Sequence, residues 1–150
     1  MLATVKHECA NTWQPIAEYG KGKGLKYGVS VNVDGPEGQT LSNVYYGRGY
    51  VQLTWDYNYK KMDQALGLSG QQSSMYWYPD NALNADIAYR IMSYGMQHGS
   101  FTGKKLADYI NASECDYVNA RRIINGTDQA SVIAGYAENI EYLLRFFNVA

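Results

Sequence analysis

Apolar residues recur at helical spacing along most of the chain, which predicts a fold built mainly of helices. Leu2, Val5 and Cys9 lie about one turn apart and predict a helix from Met1 to about Cys9. Further helices are predicted at residues 55–66, 81–97, 103–110, 117–124 and 129–147, with Thr102 capping the third of these. The expected buried faces of the two longest are Leu83, Ile87, Ile91 and Tyr94 in one, and Ile133, Ala137, Ile140, Leu144 and Phe147 in the other.

Glycine and proline interrupt the helical pattern before residue 54. Residues 10–28 predict a loop or a short β segment, and residues 67–79 a loop. The turn-rich segment 34–38 is typical of a hairpin tip or a disordered excursion, and residues 44–53 have extended character. The prediction is a helix-dominated α+β fold with a small β element, and 150 residues suit a single domain.

Charge and hydropathy narrow the classes of partner. The net charge of -1, from 13 basic and 14 acidic residues, argues against binding to nucleic acid or to an anionic membrane. No apolar run approaches the ~20 residues of a spanning helix, and no secretory signal pattern is visible. We therefore expect a monomer that stays in the cytoplasm until it is released.

The two cysteines, Cys9 and Cys115, allow two interpretations. Both are reduced core residues of a chain made in the cytosol, or they form one disulfide. A zinc site from His7, Cys9, His98 and Cys115 lacks the usual paired ligand spacing, so we expect no metal and no cofactor. His7 is expected to be structural.

Tyrosine is unusually abundant, with 15 residues against 3 Phe and 3 Trp. Tyrosine suits stacking on sugar rings because it combines a flat apolar face with a polar tip, although most of these residues are expected to pack in the core. The cluster Tyr76-Trp77-Tyr78 is either a stacking platform for substrate or an apolar plug under a loop.

Two glutamates are candidates for acid–base chemistry. Glu8 lies at the end of the first predicted helix beside apolar residues, which favour a protonated carboxyl group. Glu18 lies in a glycine-rich loop and is the candidate base. Hydrolysis of a glycosidic bond needs one acid and one base or stabilising carboxylate. A salt-bridged structural role for Glu8, and a merely solvated one for Glu18, are the alternatives.

Four segments together resemble glycoside hydrolase family 19: KHEC at 6–9, WQPIAEYG at 13–20, YYGRGYVQLTWDYNY at 45–59 and IING at 123–126. The similarity is greater to the compact bacterial and phage members, the lysozyme-like endolysins, than to the plant chitinases. Its specific part is the Gly-Arg-Gly-x-x-Gln-Leu-Thr stretch. The resemblance implies a lysozyme-like fold and an inverting reaction, which needs carboxyl groups ~6.5–9.5 Å apart.

The resemblance also implies roles for individual residues. Glu8 is the general acid, Glu18 the general base, and Thr54 helps to hold the attacking water. Contacts to the sugar or its N-acetyl group are assigned to Gln52, Asn58 and Asn125, and Tyr46 is an aromatic of the cleft. Arg48 either positions carboxylates or forms a buried structural ion pair.

The chain departs from the family in two places. Cys9 follows the acid where the family has threonine, and a thiol is the weaker hydrogen-bond partner. The sequence opens inside the catalytic helix, so we expect a domain without the helices that precede it in the family.

The predicted function is hydrolysis of β-1,4 bonds in N-acetylhexosamine polymers, most of all bacterial peptidoglycan, by a phage or prophage endolysin acting on the cell wall. Chitin is the second choice of substrate. The alternatives are a truncated, non-catalytic relative that binds wall glycan, and a lytic transglycosylase.

Overall fold

The computed structural model describes residues 1–147, which contain five α-helices and four short strands. The elements are α1 Leu2–Glu8, β1 Ile16–Ala17, β2 Val31–Asp34, β3 Thr40–Asn43, β4 Arg48–Gly49, α2 Asp56–Ala65, α3 Ala85–His98, α4 Tyr117–Ala120 and α5 Ala130–Phe147. The strands form two separate two-stranded antiparallel sheets, β1 with β4 and β2 with β3. This mixture of dominant helices and small sheets agrees with the predicted α+β class.

Contacts divide the chain into two compact units. The first contains Met1–Trp13 and the chain from Met92 onward, and the second contains Gln14–Ile91, so the division falls within α3. In the first unit α1 and α4 both pack against α5. Its buried apolar residues include Ala3, Val5, Ile123, Ile133 and Ala134, and those of the second unit include Tyr45, Tyr59, Met62, Met75 and Ile91.

The second unit holds both small sheets. Of the two predictions for residues 34–38, the hairpin tip is correct. Strands β2 and β3 form the hairpin, and a 3-10 turn at Pro36–Gly38 lies at its tip. The extended stretch predicted at 44–53 is wrong except at β4. Gly49 has a φ of 85° and Gln52 a φ of 52°, and these left-handed residues turn the chain back so that Leu53 bridges to Arg48.

Helix α3 begins later than predicted because Asn84 caps it. The Asn84 side-chain oxygen accepts hydrogen bonds from the backbone N–H groups of Asp86 and Ile87. The preceding residues, Pro79–Leu83, form a 3-10 turn instead.

The helix predicted at 103–110 is only a 3-10 turn, Leu106–Asp108. Thr102 is only weakly engaged as its expected cap, because the Thr102 hydroxyl donates to the carbonyl of Arg122 at 2.7 Å and bonds Lys104 N–H only at 3.4 Å. The helices predicted at 1–9, 55–66 and 129–147 are confirmed with small shifts at their ends, and the one at 117–124 is α4 continued by a 3-10 turn, Arg121–Ile123.

The predicted buried faces are only partly correct. In α3 Ile91 is buried as expected, but Ala88, Met92 and Met96 complete the buried side. In α5 Ile133 is buried, whereas Leu144 and Phe147 are 52% and 73% exposed. The described part of the chain therefore leaves the C-terminal half of α5 largely uncovered.

In the described residues Cys9 and Cys115 form no disulfide, so the disulfide interpretation is wrong. Cys9 is buried at the end of α1, as expected of a small core residue. Cys115 is exposed, which contradicts the expectation of a second core thiol. Among residues 1–147, no helix is both long and apolar enough to cross a membrane.

Candidate functional site

The Gly-Arg-Gly segment leads into a tight turn, and its two glycines, Gly47 and Gly49, leave no room for a side chain. A Cβ atom at Gly47 would lie 2.9 Å from the Gln52 side-chain oxygen and 3.3 Å from a Glu18 carboxylate oxygen. A Cβ at Gly49, whose φ is 85°, would lie 2.9 Å from the carbonyl oxygen of Ala82. Glycine at both positions lets the backbone approach Glu18 and the turn at Ala82, which explains the motif physically.

Glu18 follows β1 and is bonded to this turn in both directions. Its backbone N–H donates to the Gly47 carbonyl at 2.8 Å, and the Gly47 N–H donates to Oε2 of Glu18 at 2.9 Å. The Tyr27 hydroxyl donates to Oε1 at 2.9 Å. Glu18 is half-buried. These bonds hold both carboxylate oxygens in one direction, as a general base requires.

Tyr27 is a residue of this site that sequence reasoning missed. It lies in the 3-10 turn Lys26–Gly28, and its ring packs edge-on against Trp55, with centroids 5.6 Å apart. Burial, followed by the bond to Glu18 and its negative charge, raises the pKa of Tyr27. Tyr27 therefore stays protonated and remains a donor. As one of 15 tyrosines it carried no signal of this role.

Gln52, Thr54 and Asn58 all belong to the second unit with Glu18. The Gln52 amide nitrogen donates to the carbonyls of Ile16 and Gly49, at 3.0 and 3.1 Å, which directs its oxygen toward the Gly47 turn. The Asn58 side chain donates to the Thr54 carbonyl at 3.0 Å. Gln52, Thr54 and Asn58 are each half-buried.

Backbone strain marks the same segment. Gln52 has a φ of 52° and Trp55 a φ of 71° with ψ of 136°, and for a bulky residue such as tryptophan this is a genuine outlier. Outliers of this kind cost about 1–3 kcal/mol each and cluster at functional sites. Thr54, the predicted water-holding residue, lies between the two.

Tyr46 and Arg48 are both buried and pack on each other. Tyr46 is 8% exposed, and the Arg48 guanidinium carbon lies 3.5 Å from its ring centroid. Arg48 donates to the Tyr46 and Val44 carbonyls and forms an ion pair with Asp80 at 2.8 Å. Of the two roles predicted for Arg48, the structural ion pair agrees with these contacts, and the role of Tyr46 as a cleft aromatic stays a prediction.

Arg48→Lys is expected to destabilise the second unit by about 2–3 kcal/mol. An ammonium group cannot donate at once to Asp80, the two carbonyls and the Tyr59 hydroxyl, so buried acceptors lose partners. Urea unfolding followed by tryptophan fluorescence measures the change. Arg90→Lys is the control: Arg90 is exposed, and a lysine can also donate the hydrogen bond that Arg90 makes to the Leu66 carbonyl. It should stay within about 0.5 kcal/mol, and equal effects would contradict the role of Arg48.

The aromatic cluster at 76–78 agrees better with the plug than with the platform. Tyr76 stacks on the buried Tyr45, whose hydroxyl donates to the Tyr76 carbonyl at 2.6 Å. The Asn43 side chain donates to the Trp77 carbonyl at 2.9 Å. Burial raises the pKa of Tyr45 to about 12, which keeps this hydroxyl a donor.

Glu8 lies in the first unit, where it pairs with Arg121. Arg121 NH1 donates to Oε1 of Glu8 at 2.6 Å, and the side chains are 3% and 20% exposed. The Arg121 Nε donates to the Asp128 carbonyl at 3.1 Å. Glu8 therefore contacts a guanidinium group, which the apolar surroundings expected from the sequence did not include.

Arg121 is the second residue that sequence reasoning missed. It is the first of two consecutive arginines, Arg121-Arg122, before the apolar pair Ile123-Ile124. A buried charge needs a partner, but the sequence does not distinguish the buried Arg121 from the exposed Arg122. Asn125 lies just after the 3-10 turn Arg121–Ile123. It is exposed, and its backbone N–H donates to the Arg121 carbonyl. The structure thus groups Glu8, Arg121 and Asn125 in one unit, and the other predicted site residues in the second.

Within residues 1–147, no three His, Cys, Asp or Glu side chains lie together as a metal site would require. Comparison of the chain with protein-family models, with curated proteins and with solved structures finds no match.

Proposed function

We propose that the chain is a glycoside hydrolase that cleaves β-1,4 bonds in N-acetylhexosamine polymers, with bacterial peptidoglycan as the preferred substrate. The proposal includes a lysozyme-like fold and an inverting mechanism, both implied by the resemblance to glycoside hydrolase family 19. In this role the chain acts as a phage or prophage endolysin on the cell wall, with the polysaccharide as its partner and without a cofactor.

The observation that carries the proposal is the fixed carboxylate of Glu18. A base that activates water must be ionised and held in one direction, and Glu18 accepts one hydrogen bond on each oxygen. The side-chain oxygen of Gln52 is directed to the same turn, next to the strained backbone around Thr54. The carboxylate of Glu18, with the amide and the hydroxyl of the strained segment, is suitable for binding water and an N-acetyl sugar.

In the proposed reaction Glu8 donates a proton to the leaving oxygen, and Glu18 removes one from the attacking water. Arg121 binds Oε1 of Glu8, so Oε2 is the oxygen that would carry the transferred proton. An inverting reaction requires the two carboxyl groups to lie ~6.5–9.5 Å apart, with room for water. Thr54 would orient that water, while Gln52, Asn58 and Asn125 would align the sugar.

One observation favours a second candidate, a non-catalytic protein that binds wall glycan. The ion pair between Glu8 and Arg121 is equally suited to a purely structural role, because Arg121 is almost fully buried. Such a protein would need neither carboxyl group for binding.

Mass spectrometry of the fragments released from purified peptidoglycan separates these functions. A hydrolase releases fragments with reducing ends, and an inverting one forms the α anomer first, which NMR of fresh products detects. A lytic transglycosylase releases anhydro ends that are one water lighter, and a binding protein sediments with the polymer without releasing fragments. Chitin oligosaccharides, tested in parallel, identify the preferred polymer; anhydro ends or intact polymer would reject the hydrolase proposal.

A further inference from the structure

The carboxylate of Glu18 is held from two sides by groups that belong to different segments. The backbone N–H of Gly47 binds Oε2, and the hydroxyl of Tyr27 binds Oε1, each at 2.9 Å. The Gly47 bond comes from the backbone, and no side-chain substitution removes it. The Tyr27 bond depends on one oxygen atom, which makes its contribution measurable.

The position of Tyr27 results from an unusually close contact within its own loop. Gly22 has a φ of 74°, and a Cβ atom at Gly28 would lie 1.8 Å from the Gly22 carbonyl oxygen. The loop therefore closes on itself only because both residues are glycine. The Leu25 N–H donates to the Gly22 carbonyl and the Gly28 N–H to the Leu25 carbonyl, each at 2.9 Å, which fixes the turn that carries Tyr27.

Contacts on the other side of Tyr27 fix the direction of its hydroxyl. The ring lies edge-on to Trp55, with an interplanar angle of 72°, and Trp55 in turn stacks on Tyr57 at 5.7 Å. Trp55 is held in its strained conformation, and its backbone N–H donates to the Tyr45 carbonyl. The phenol thus has a packed ring and a directed hydroxyl, which is the arrangement of a positioning group rather than of a solvated surface tyrosine.

Few other titratable groups act on Glu18. On its own segment Tyr19 is 92% exposed and Lys21 is also exposed, so solvent screens both. On the paired strand β4, the guanidinium of Arg48 is bound to Asp80 and to backbone carbonyls. Tyr27 is the titratable side chain that bonds the carboxylate directly.

We propose that Tyr27 is a positioning residue that holds the Glu18 carboxylate in one direction, so that Glu18 can act as the base of the proposed hydrolysis. The catalytic meaning of this inference rests on the proposed function, but the hydrogen bond does not. Loss of the hydroxyl would remove the donor to Oε1, and the Gly47 N–H on Oε2 would then have to hold the carboxylate without it.

The test is the ¹³C NMR spectrum, at neutral pH, of the chain labelled at the glutamate carboxyl carbons, with the Glu18 signal assigned from Glu18→Gln. In Tyr27→Phe the Glu18 carboxyl signal should move, because Oε1 loses its donor. The control is Tyr45→Phe, which removes a buried tyrosine hydrogen bond in the same unit but should leave the Glu18 signal in place. Replacing Tyr27 with 3-fluorotyrosine retains the ring and strengthens the donor, so the signal should move in the opposite direction.

Activity gives the second readout. On a soluble peptidoglycan fragment, Tyr27→Phe should lower kcat about tenfold to a hundredfold with little change in KM. An unchanged Glu18 carboxyl signal in both Tyr27 variants overturns the inference, whatever the activity. Absence of fragment release by the unaltered chain rejects the proposed hydrolase but not the hydrogen bond, so the two failures are distinguishable.

Discussion

Glu8→Gln is expected to abolish clearing of a peptidoglycan suspension while the chain stays folded. The amide cannot give a proton to a leaving oxygen, and loss of a general acid typically costs about 10²–10⁴-fold in rate. The amide oxygen can still accept the hydrogen bond that Arg121 now donates to Oε1, so the surroundings of the buried guanidinium change little. Turbidity at neutral pH measures the rate, and circular dichroism measures the thermal unfolding temperature.

Glu138→Gln is the matched control for this change. Glu138 lies on α5 in the same unit and is exposed, so its substitution removes one carboxylate without touching Arg121. Clearing should then equal that of the unaltered chain. If Glu8→Gln clears as fast as this control, the acid assignment is wrong, and the pair with Arg121 has only a structural role.

Gly28→Ala is expected to have the largest effect on stability. Its Cβ would lie 1.8 Å from the Gly22 carbonyl oxygen and 2.5 Å from its carbonyl carbon, so the main chain itself must move. Overpacking costs about 1–3 kcal/mol and more where the backbone is displaced. We expect a loss of about 3 kcal/mol or more, which for a chain of this length corresponds to a fall in Tm of about 6–12 °C.

Gly24→Ala tests whether the close contact, and not the loop as such, causes this loss. Gly24 also has a left-handed backbone, with a φ of 81°, but nothing lies within 4 Å of its Cβ position. It should cost about 1 kcal/mol from backbone strain alone. Similar losses of stability in the two variants would contradict the role of the close contact between Gly22 and Gly28.

The opening of this loop should also affect Glu18. Tyr27 directly precedes Gly28, so displacement of the turn removes the hydroxyl from the carboxylate. Gly28→Ala should therefore reproduce the displaced Glu18 carboxyl signal of Tyr27→Phe, whereas Gly24→Ala should not. This result would show that the close contact between Gly22 and Gly28 keeps the Tyr27 hydroxyl on the Glu18 carboxylate.

Local patterns predicted the helices better than the segments between them. The periodicity of α2 and α5 and the stop at Gly67 are local properties, so their ranges were predictable within a few residues. The stretch 44–53 was not, because its apolar and aromatic residues suit a strand while the turn at Gly49 and Gln52 depends on contacts with Ala82 and Ile16. Burial on α3 was equally unpredictable, since only Ile91 of the expected face is buried.

By itself the sequence determined the helix-rich architecture and the candidates Glu8 and Glu18, because helical period and catalytic residue types are properties of neighbouring positions. Only the tertiary structure decided which groups bind each carboxyl group. Glu8 meets Arg121, 113 positions away, and Glu18 meets Gly47 and Tyr27. Partners brought together by folding leave no spacing in a single sequence, and the charge state of a carboxyl group depends on those partners.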